Sequence, residues 1–218
     1  CNGRELGTHR GGFSTFRFEL TDALTDGENI LTVEVTNAPS DVYPQMADFT
    51  FFGGLYRPVR LIQVPAAHFD LLKTGTTGLF ITPHVAGLVR VDAFPVNAEG
   101  CTVRVDLCDA SGAVVATGTA PAEAHTVLKL QVADPHLWNG RIDPYLYTAK
   151  ATLLDGGDEM DEVTATFGFR SFHVDSNQGF FLNGKSYPLH GVARHQDRLD
   201  MGWAITPKEH AEDIALIQ

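Results

Sequence analysis

The sequence predicts a mainly β protein, with antiparallel β-sandwiches followed by one β/α unit at the C-terminal end. Three observations lead to this prediction. Apolar and polar residues alternate with a period of two through residue 173, Gly-containing pairs separate the alternating runs, and a clearly marked helix start appears only near the end. Strands that bury one face and expose the other alternate in this way.

The alternating runs are short, as is typical of sandwich strands. Their apolar positions are Phe16, Phe18, Leu20; Leu31, Val33, Val35; Val103, Val105, Leu107; Leu128, Leu130, Val132; Tyr147, Ala149, Ala151, Leu153; and Val163, Ala165, Phe167, Phe169. The turn signals are Asn2-Gly3, Gly11-Gly12, Asp26-Gly27, Gly53-Gly54, Ser111-Gly112 and Gly156-Gly157. Residues 66–173 have about the length of one immunoglobulin-like sandwich, whereas residues 1–65 supply too few strands to complete another.

The pattern changes after about residue 174. FFLNGKSYPL predicts a hairpin with Asn183-Gly184 at its tip, and PLHGVARH predicts a strand. A helix should then begin with Thr206 as N-cap, Pro207 in the first position and Glu209 completing a capping box. The residues expected to form its buried stripe are Ala211, Ile214 and Ile217. One strand and one helix cannot bury both faces of that strand, and the opening CNGRELG resembles the middle of a strand and turn. We therefore expect the natural chain to extend beyond both ends of this sequence.

The charge balance argues against two classes of partner. Sixteen Lys and Arg against 27 Asp and Glu give a net charge of −11. Nucleic acids and anionic membranes bind basic surfaces, so we expect neither as a partner. No apolar run reaches the roughly 18 residues of a membrane-spanning helix.

The cysteines predict a reducing compartment. Cys101 and Cys108 flank a predicted strand, which would separate them by roughly 23 Å at about 3.3 Å per residue. A disulfide needs Cα atoms within about 7 Å, so these two residues should be free, and Cys1 leaves the count odd. We therefore predict a cytoplasmic protein.

Two clusters are candidates for a functional site. His195 lies with Arg194 and Asp197 at the C-terminal end of the strand predicted over PLHGVARH, where β/α folds place their active sites; a solvated loop is the alternative. Asp48 lies in the aromatic stretch DVYPQMADFTFFGGLYRPVR, where aromatic faces beside a carboxylate suit a sugar; an exposed Asp is the alternative.

No metal site is predicted. The acidic turn GGDEMDE, residues 156–162, could hold calcium, but it lacks the spacing of a calcium loop and is better interpreted as a solvated hairpin tip. The nine histidines include no pair at metal-ligand spacing near a third ligand.

Four stretches together resemble glycoside hydrolase family 2, which contains β-galactosidases, β-glucuronidases and β-mannosidases. They are NGRELGTHRGGFSTFRFELTDAL, DFTFFGGLYRPVRL, PHLWNGRIDPYLYTAKATL and GFRSFHVDSNQGFFLNGKSYPLHGVARHQD. The four stretches occur in the order and at the spacing of the family. The sequence departs from the family's pattern at Ala193, where Asn is common, and at Gln196, where Glu is common.

The resemblance implies three domains. Residues 1–65 would form the C-terminal part of a sugar-binding jelly roll, residues 66–173 an immunoglobulin-like sandwich, and residues 174–218 the start of a catalytic TIM barrel. The family hydrolyses terminal β-glycosidic bonds with retention, and β-galactosides are the expected substrates here. A β-glucuronidase or β-mannosidase remains an alternative, as does a non-catalytic carbohydrate-binding or scaffold module.

The resemblance also assigns roles to individual residues. Asp48 and His195 would bind the carbohydrate substrate, and Arg194 and Asp197 would support the strand end through salt bridges. The two catalytic glutamates would follow later barrel strands, so no catalytic residue is expected within this sequence, and the sequence by itself should be inactive. A monovalent cation or Mg²⁺ would belong to the full-length enzyme.

Uncovered apolar strand faces lead us to expect a homo-oligomer.

Overall fold

Strands dominate the second half of the chain. The computed structural model describes residues 1–38, 40, 42 and 50–217. Its strands are β1 (His68–Phe69), β2 (Leu79–Pro83), β3 (Leu88–Ala93), β4 (Pro95–Val96), β5 (Thr102–Cys108), β6 (Val114–Pro121), β7 (Thr126–Gln131), β8 (Tyr147–Asp155), β9 (Asp158–Phe167), β10 (Phe172–Asp175), β11 (Gly179–Leu182) and β12 (Lys185–Ser186). Helix α1 is Pro207–Ile217, and single 3₁₀ turns lie at Thr21–Ala23 and Lys73–Gly75.

The chain divides into two compact units. Unit 1 comprises Cys1–Ser14, Phe18–Ile62 and His190–Gln218. Unit 2 comprises Thr15–Arg17 and Gln63–Leu189, and it contains all the strands given above.

Unit 2 is built around a two-sheet β-sandwich. One sheet has the order β2-β3-β7 and the other has the order β6-β5-β8-β9, with every neighbouring pair antiparallel. Inward residues of both sheets, such as Val91 in β3 and Val105 in β5, are fully buried in one common core. The period-two pattern therefore produces the sandwich because each strand has a partner sheet on its apolar side.

The predicted strands of unit 2 are confirmed where alternation was strongest. Val103, Val105 and Leu107 all point into the core from β5, with Thr102, Arg104, Asp106 and Cys108 less buried between them. Strands β7, β8 and β9 likewise contain the predicted apolar positions, except Val132 and Phe169, which are buried just beyond the ends of β7 and β9. All three cysteines are free, as predicted, with Cys101 immediately before β5 and Cys108 at its far end.

Both hairpins with strong turn signals are also confirmed. Asn183 and Gly184 have φ values of 50° and 77° and connect β11 to β12. Positive φ at both central residues is what a type I′ hairpin turn requires. Gly156 and Gly157, at φ values of 55° and 107°, connect β8 to β9 in the same way.

The acidic turn is less solvated than predicted, because Asp161 accepts a hydrogen bond from the backbone N–H of Phe69 at 2.8 Å. This contact ties β9 to the short β1–β4 pair. Glu159 and Glu162 also have partners, in Arg104 and Lys150.

Unit 1 differs from its prediction. The described residues before His68 include no strand, and residues 188–195 form none either, although both stretches alternate. Leu31, Val33 and Val35 are instead exposed. A strand needs a neighbour that pairs with it through a ladder of backbone hydrogen bonds, and among the described residues no strand pairing includes these segments.

The helix prediction is correct in its start and wrong in its buried stripe. Helix α1 begins at Pro207, directly after the predicted N-cap Thr206. However, Ala211, Ile214 and Ile217 are exposed, whereas Glu209 is buried. Apolar spacing shows which side of a helix could be covered, but burial requires a neighbouring element to cover it.

Candidate functional site

The predicted site residues that the structure describes all lie in unit 1. Arg194, His195 and Asp197 occupy the segment that precedes α1; the His195 side chain is exposed, and those of Arg194 and Asp197 are half-buried. Asp48 lies outside the described residues, so its place relative to His195 stays a prediction.

The N-terminus of α1 is fixed by side-chain hydrogen bonds. A carboxylate oxygen of Glu209 accepts from the backbone N–H of Thr206 at 2.6 Å and from its hydroxyl at 2.5 Å. The Thr206 hydroxyl oxygen in turn accepts from the backbone N–H of Lys208 at 3.3 Å. The Glu209 half of the predicted capping box therefore forms, while the Thr206 hydroxyl caps the amide of Lys208, one residue earlier than a capping box requires.

Asp213 on α1 connects the site segment to the helix. Its carboxylate accepts hydrogen bonds from the guanidinium groups of both Arg194 and Arg198, with Arg194 Nε at 2.7 Å. Arg198 also donates to Glu212 at 2.7 Å and to the backbone carbonyl of Glu209 at 3.0 Å. The two arginines, one on each side of the segment 195–197, are thus tied to the same helix.

His210 completes this network. Arg194 Nη1 lies 3.0 Å from Nδ1 of His210 and can donate to that nitrogen when it carries no proton. Sequence reasoning gave Arg194 a salt-bridging role, and the structure places it in an ion pair with Asp213. Asp197 instead lines a shallow concave surface with Phe52 and residues 198–202.

The hydrogen bonds of this network shift the pKa values of its acidic and basic side chains towards the charged forms. Hydrogen bonds from Arg194 and then Arg198 lower the pKa of the Asp213 carboxyl, and hydrogen bonds to Glu212 and Asp213 raise the pKa of Arg198. The donors of Thr206 lower the pKa of Glu209. Each of these hydrogen bonds favours the charged form, so Arg198, Glu209 and Asp213 are ionised at neutral pH.

Arg57 contacts the same segment from a different part of unit 1. Its Nη2 donates to Oε1 of Gln196 at 3.0 Å, and its Nη1 donates to the backbone carbonyl of Ile205 at 3.2 Å. Gln196 follows His195 directly, and Ile205 is buried immediately before the helix cap. One guanidinium therefore connects both ends of the segment 196–205.

Trp203 lies in a cluster of aromatic side chains. The centroid of its ring lies between 5.4 and 6.3 Å from those of Tyr56, Phe52, Phe13 and Phe51, in tilted or edge-on orientations. Such arrangements place the positive edge of one ring on the negative face of another. The Arg57 guanidinium lies 5.4 Å from the centre of the Tyr56 ring, so the aromatic cluster and the hydrogen bonds of Arg57 adjoin.

Three of these residues were not predicted from the sequence. Arg57 lies in the stretch DFTFFGGLYRPVRL, but nothing in that stretch indicates a contact with Gln196. Trp203 belongs to none of the quoted stretches, and Asp213 is one of several charged residues on the predicted helix. The sequence predicted the capping box and a salt-bridging role for Arg194, but not the partner of Arg194. The long-range pairing of a guanidinium with an amide oxygen has no local sequence signal.

The described residues include neither a cluster of metal-ligating side chains nor a membrane-spanning helix. Within the described ranges, no three His, Cys, Asp or Glu side chains come together as metal ligands. No helix of the described part of the chain is both long and apolar enough to cross a bilayer.

Comparison with known proteins identifies relatives along the whole chain. The profile of the family described as "Glycosyl hydrolases family 2" matches residues 79–170, which fall within unit 2. The chain is 35% identical to a β-glucuronidase of Bacteroides fragilis over 100% of its own length and 33% of that protein. It is 31% identical to a β-galactosidase of Halalkalibacterium halodurans over 98% of its length and 21% of that protein.

A solved structure agrees with these similarities. The crystal structure of an FMN-binding β-glucuronidase from Facaelibacterium prausnitzii L2-6 superimposes with a TM-score of 0.91 and 42% identity, covering 99% of this chain and 34% of that one. The chain belongs to glycoside hydrolase family 2. It spans about a third or less of the length of these relatives.

Proposed function

We propose that the protein containing this chain hydrolyses terminal β-glycosidic bonds with retention of configuration. The observation that supports this most is similarity over 98–100% of the chain to enzymes named β-glucuronidase and β-galactosidase. In a retaining reaction one carboxylate attacks the anomeric carbon, while another carboxylic acid protonates the leaving oxygen and later activates water. Both would lie on later strands of the catalytic barrel, beyond residue 218.

The domain division that we propose has three parts. Residues 1–65 would contribute to a jelly roll, residues 66–173 would form an immunoglobulin-like sandwich, and residues 174–218 would begin the barrel. The three-stranded and four-stranded sheets of unit 2 support the second assignment. Limited proteolysis of the full-length protein would test the boundaries, because cleavage should concentrate between domains.

For the substrate we propose a β-glucuronide first and a β-galactoside second. The glucuronidase assignment changes the preference that the sequence suggested, and it rests on the higher identities, 42% and 35%, to relatives of that name. The galactosidase assignment is supported by the 31% identity to the Halalkalibacterium enzyme. Rates on 4-nitrophenyl β-D-glucuronide, β-D-galactoside and β-D-mannoside with the full-length protein would separate these candidates. Hydrolysis of none of them would favour the carbohydrate-binding module instead.

Within such an enzyme, His195 and Asp48 would bind sugar hydroxyls. The supporting observation for His195 is that its exposed imidazole lies between residues that are tied to other elements. His195→Ala and Asp48→Ala should each lower kcat/KM by more than about tenfold, equivalent to about 1.4 kcal/mol of transition-state stabilisation. Unchanged kinetics in one variant would remove that residue from the site, and His190→Ala provides a control at a second exposed histidine of unit 1.

A cytoplasmic location and self-association stay predictions. Exposed apolar side chains in unit 1, including Phe13 at 74% exposure, are the observation behind self-association. Light scattering of the full-length protein over a range of concentrations would test it, since a constant monomeric mass would argue against any oligomer.

A further inference from the structure

The segment around His195 is held by two separate sets of contacts. On the helix side, Arg194 and Arg198 both pair with Asp213 of α1. In the second set, Arg57 donates to Gln196 at 3.0 Å. The residues on either side of His195 are therefore tied down, while the His195 side chain itself is exposed.

Arg57 differs from the other arginines because it spans the segment. Its two terminal nitrogens bind different acceptors, the side chain of Gln196 and the backbone carbonyl of Ile205. Ile205 is buried and lies next to the N-cap of α1, so this acceptor is a fixed point. A planar guanidinium holds two acceptors in a defined geometry, which a flexible ammonium group cannot do.

The aromatic cluster restricts Arg57 in turn. The guanidinium lies against Tyr56, whose ring packs on Trp203 at 5.4 Å. Trp203 belongs to the segment that Arg57 spans, so the contacts close into a loop: Arg57 to Gln196, along the chain to Trp203, and back through Tyr56. A side chain held by packing as well as hydrogen bonds loses little further freedom when it positions a neighbour.

We propose that Arg57 is a positioning residue of the glycoside-binding site, where it fixes the backbone at His195 by holding Gln196 and Ile205 together. This inference rests on the proposed function, because it assigns His195 a substrate hydroxyl to bind. Arg57 contacts no reacting atom in this role. Its effect is to keep the imidazole where the hydrogen bond to the sugar can strengthen in the transition state.

The kinetic test compares four forms of the full-length protein on whichever 4-nitrophenyl β-glycoside it hydrolyses. Arg57→Ala should lower kcat about tenfold with KM changed less, since misplacement of a contacting group costs the transition state more than the ground state. Gln196→Ala should lower kcat by less, because the bond from Arg57 to Ile205 remains. The double variant should be no slower than Arg57→Ala alone. If the fold-losses of kcat in the two single variants multiply in the double variant, the proposal is overturned.

Two further variants sharpen this test. Arg57→Lys keeps the positive charge but lacks the two donor nitrogens of a planar guanidinium, so it should retain only part of the kcat that Arg57→Ala loses. Arg60→Ala removes an exposed guanidinium three residues away and serves as the matched control. Equal losses in Arg57→Ala and Arg60→Ala would overturn the proposal. If Arg57→Ala fails to fold, Gln196→Ala still tests the same hydrogen bond from its other end.

A second readout separates this proposal from the proposed function. Amide hydrogen exchange of peptides covering residues 194–205 should be faster in Arg57→Ala than in the wild type or Arg60→Ala. If the wild type hydrolyses no β-glycoside, the proposed function fails, and the exchange result alone decides whether Arg57 holds the segment. Unchanged exchange across residues 194–205 would overturn the proposal even in an active enzyme.

Discussion

Unit 2 and unit 1 are stabilised by different interactions. In unit 2, apolar residues from two sheets, such as Val91 and Leu107, are fully buried in one common core. In the described part of unit 1, the buried apolar residues are Ala23 and Ile205, and order near His195 comes from guanidinium–carboxylate pairs and the cluster around Trp203.

The two kinds of interaction have different consequences for the free energy of unfolding and for the placement of individual side chains. Burial is non-directional and adds up with area, so it gives unit 2 a large free energy of unfolding without fixing any one polar group. Hydrogen bonds contribute only about 1 kcal/mol each, but they depend on direction and hold particular atoms in place. Substitutions in unit 2 should therefore change stability, whereas substitutions near His195 should mainly change geometry.

The largest effect should follow truncation in the unit 2 core. Phe169 is fully buried, with the rings of Tyr147 and Phe167 at 5.1 and 5.5 Å. Phe169→Ala should lower the free energy of unfolding by about 3–5 kcal/mol, because it leaves a cavity as well as losing contacts. Denaturant titration would measure this loss. Phe172→Ala, at a side chain that is 64% exposed, is the control and should cost less than about 1 kcal/mol. Equal losses would contradict the role given to the core.

The next largest effect concerns the loss of stability when one glycine of each unit is replaced by alanine. Gly87 has φ +87°, and a Cβ there would lie 2.1 Å from the carbonyl oxygen of Val132. Gly54 in unit 1 has φ +85° with nothing within 4 Å. Both alanine variants meet left-handed strain of about 1–2 kcal/mol, but Gly87→Ala should lose about 1 kcal/mol more, because backbone must also move. Thermal unfolding of both variants would show the order, and a larger loss for Gly54→Ala would reverse the comparison.

A smaller effect is expected at the start of α1. Thr206→Ala removes the hydroxyl that bonds Glu209 and Lys208, so it should cost about 1 kcal/mol of helix stability. Exchange of the first-turn amides of α1 would report the loss. Thr206→Ser retains the hydroxyl and should behave like the wild type; if it does not, the methyl group rather than the cap is responsible.

The smallest effect is a pH dependence in unit 2. The hydrogen bond from Arg90, aided by His125, lowers the pKa of Asp92 from 3.8 to about 2. A lowered pKa stabilises the folded state above the unfolded value, and that stability is lost as the pH falls from about 4 towards 2. Thermal unfolding of the wild type between about pH 5 and pH 2 should show this loss, and Asp92→Asn should flatten the curve. If stability falls with pH in parallel in the wild type and in Asp92→Asn, the pair of Arg90 and Asp92 does not contribute.

Much of the fold of unit 2 could be predicted from local sequence patterns. Val103, Val105 and Leu107 alternate because one face of β5 is buried, and Asn183-Gly184 adopt positive φ because those residue types tolerate it. These signals are local, so the sequence alone carries them. The same alternation at Leu31, Val33 and Val35 predicted a strand that is not present in the described residues, because pairing depends on a second segment.

The candidate site was predictable only in part, for the same reason. Arg194, His195 and Asp197 could be selected because they follow an apolar run, and the capping box at Thr206 and Glu209 is written in four consecutive residues. The pairing of Arg194 with Asp213 and of Arg57 with Gln196 joins residues 19 and 139 positions apart.

The sequence by itself thus determined the alternating strands of unit 2, the hairpin turns and the start of the helix, since each follows from the conformational preferences of neighbouring residues. Only the tertiary structure decided which apolar faces are covered and which arginines hold the segment around His195. Burial and directional hydrogen bonds need a partner at a defined place in space, and distance along the chain does not specify that place.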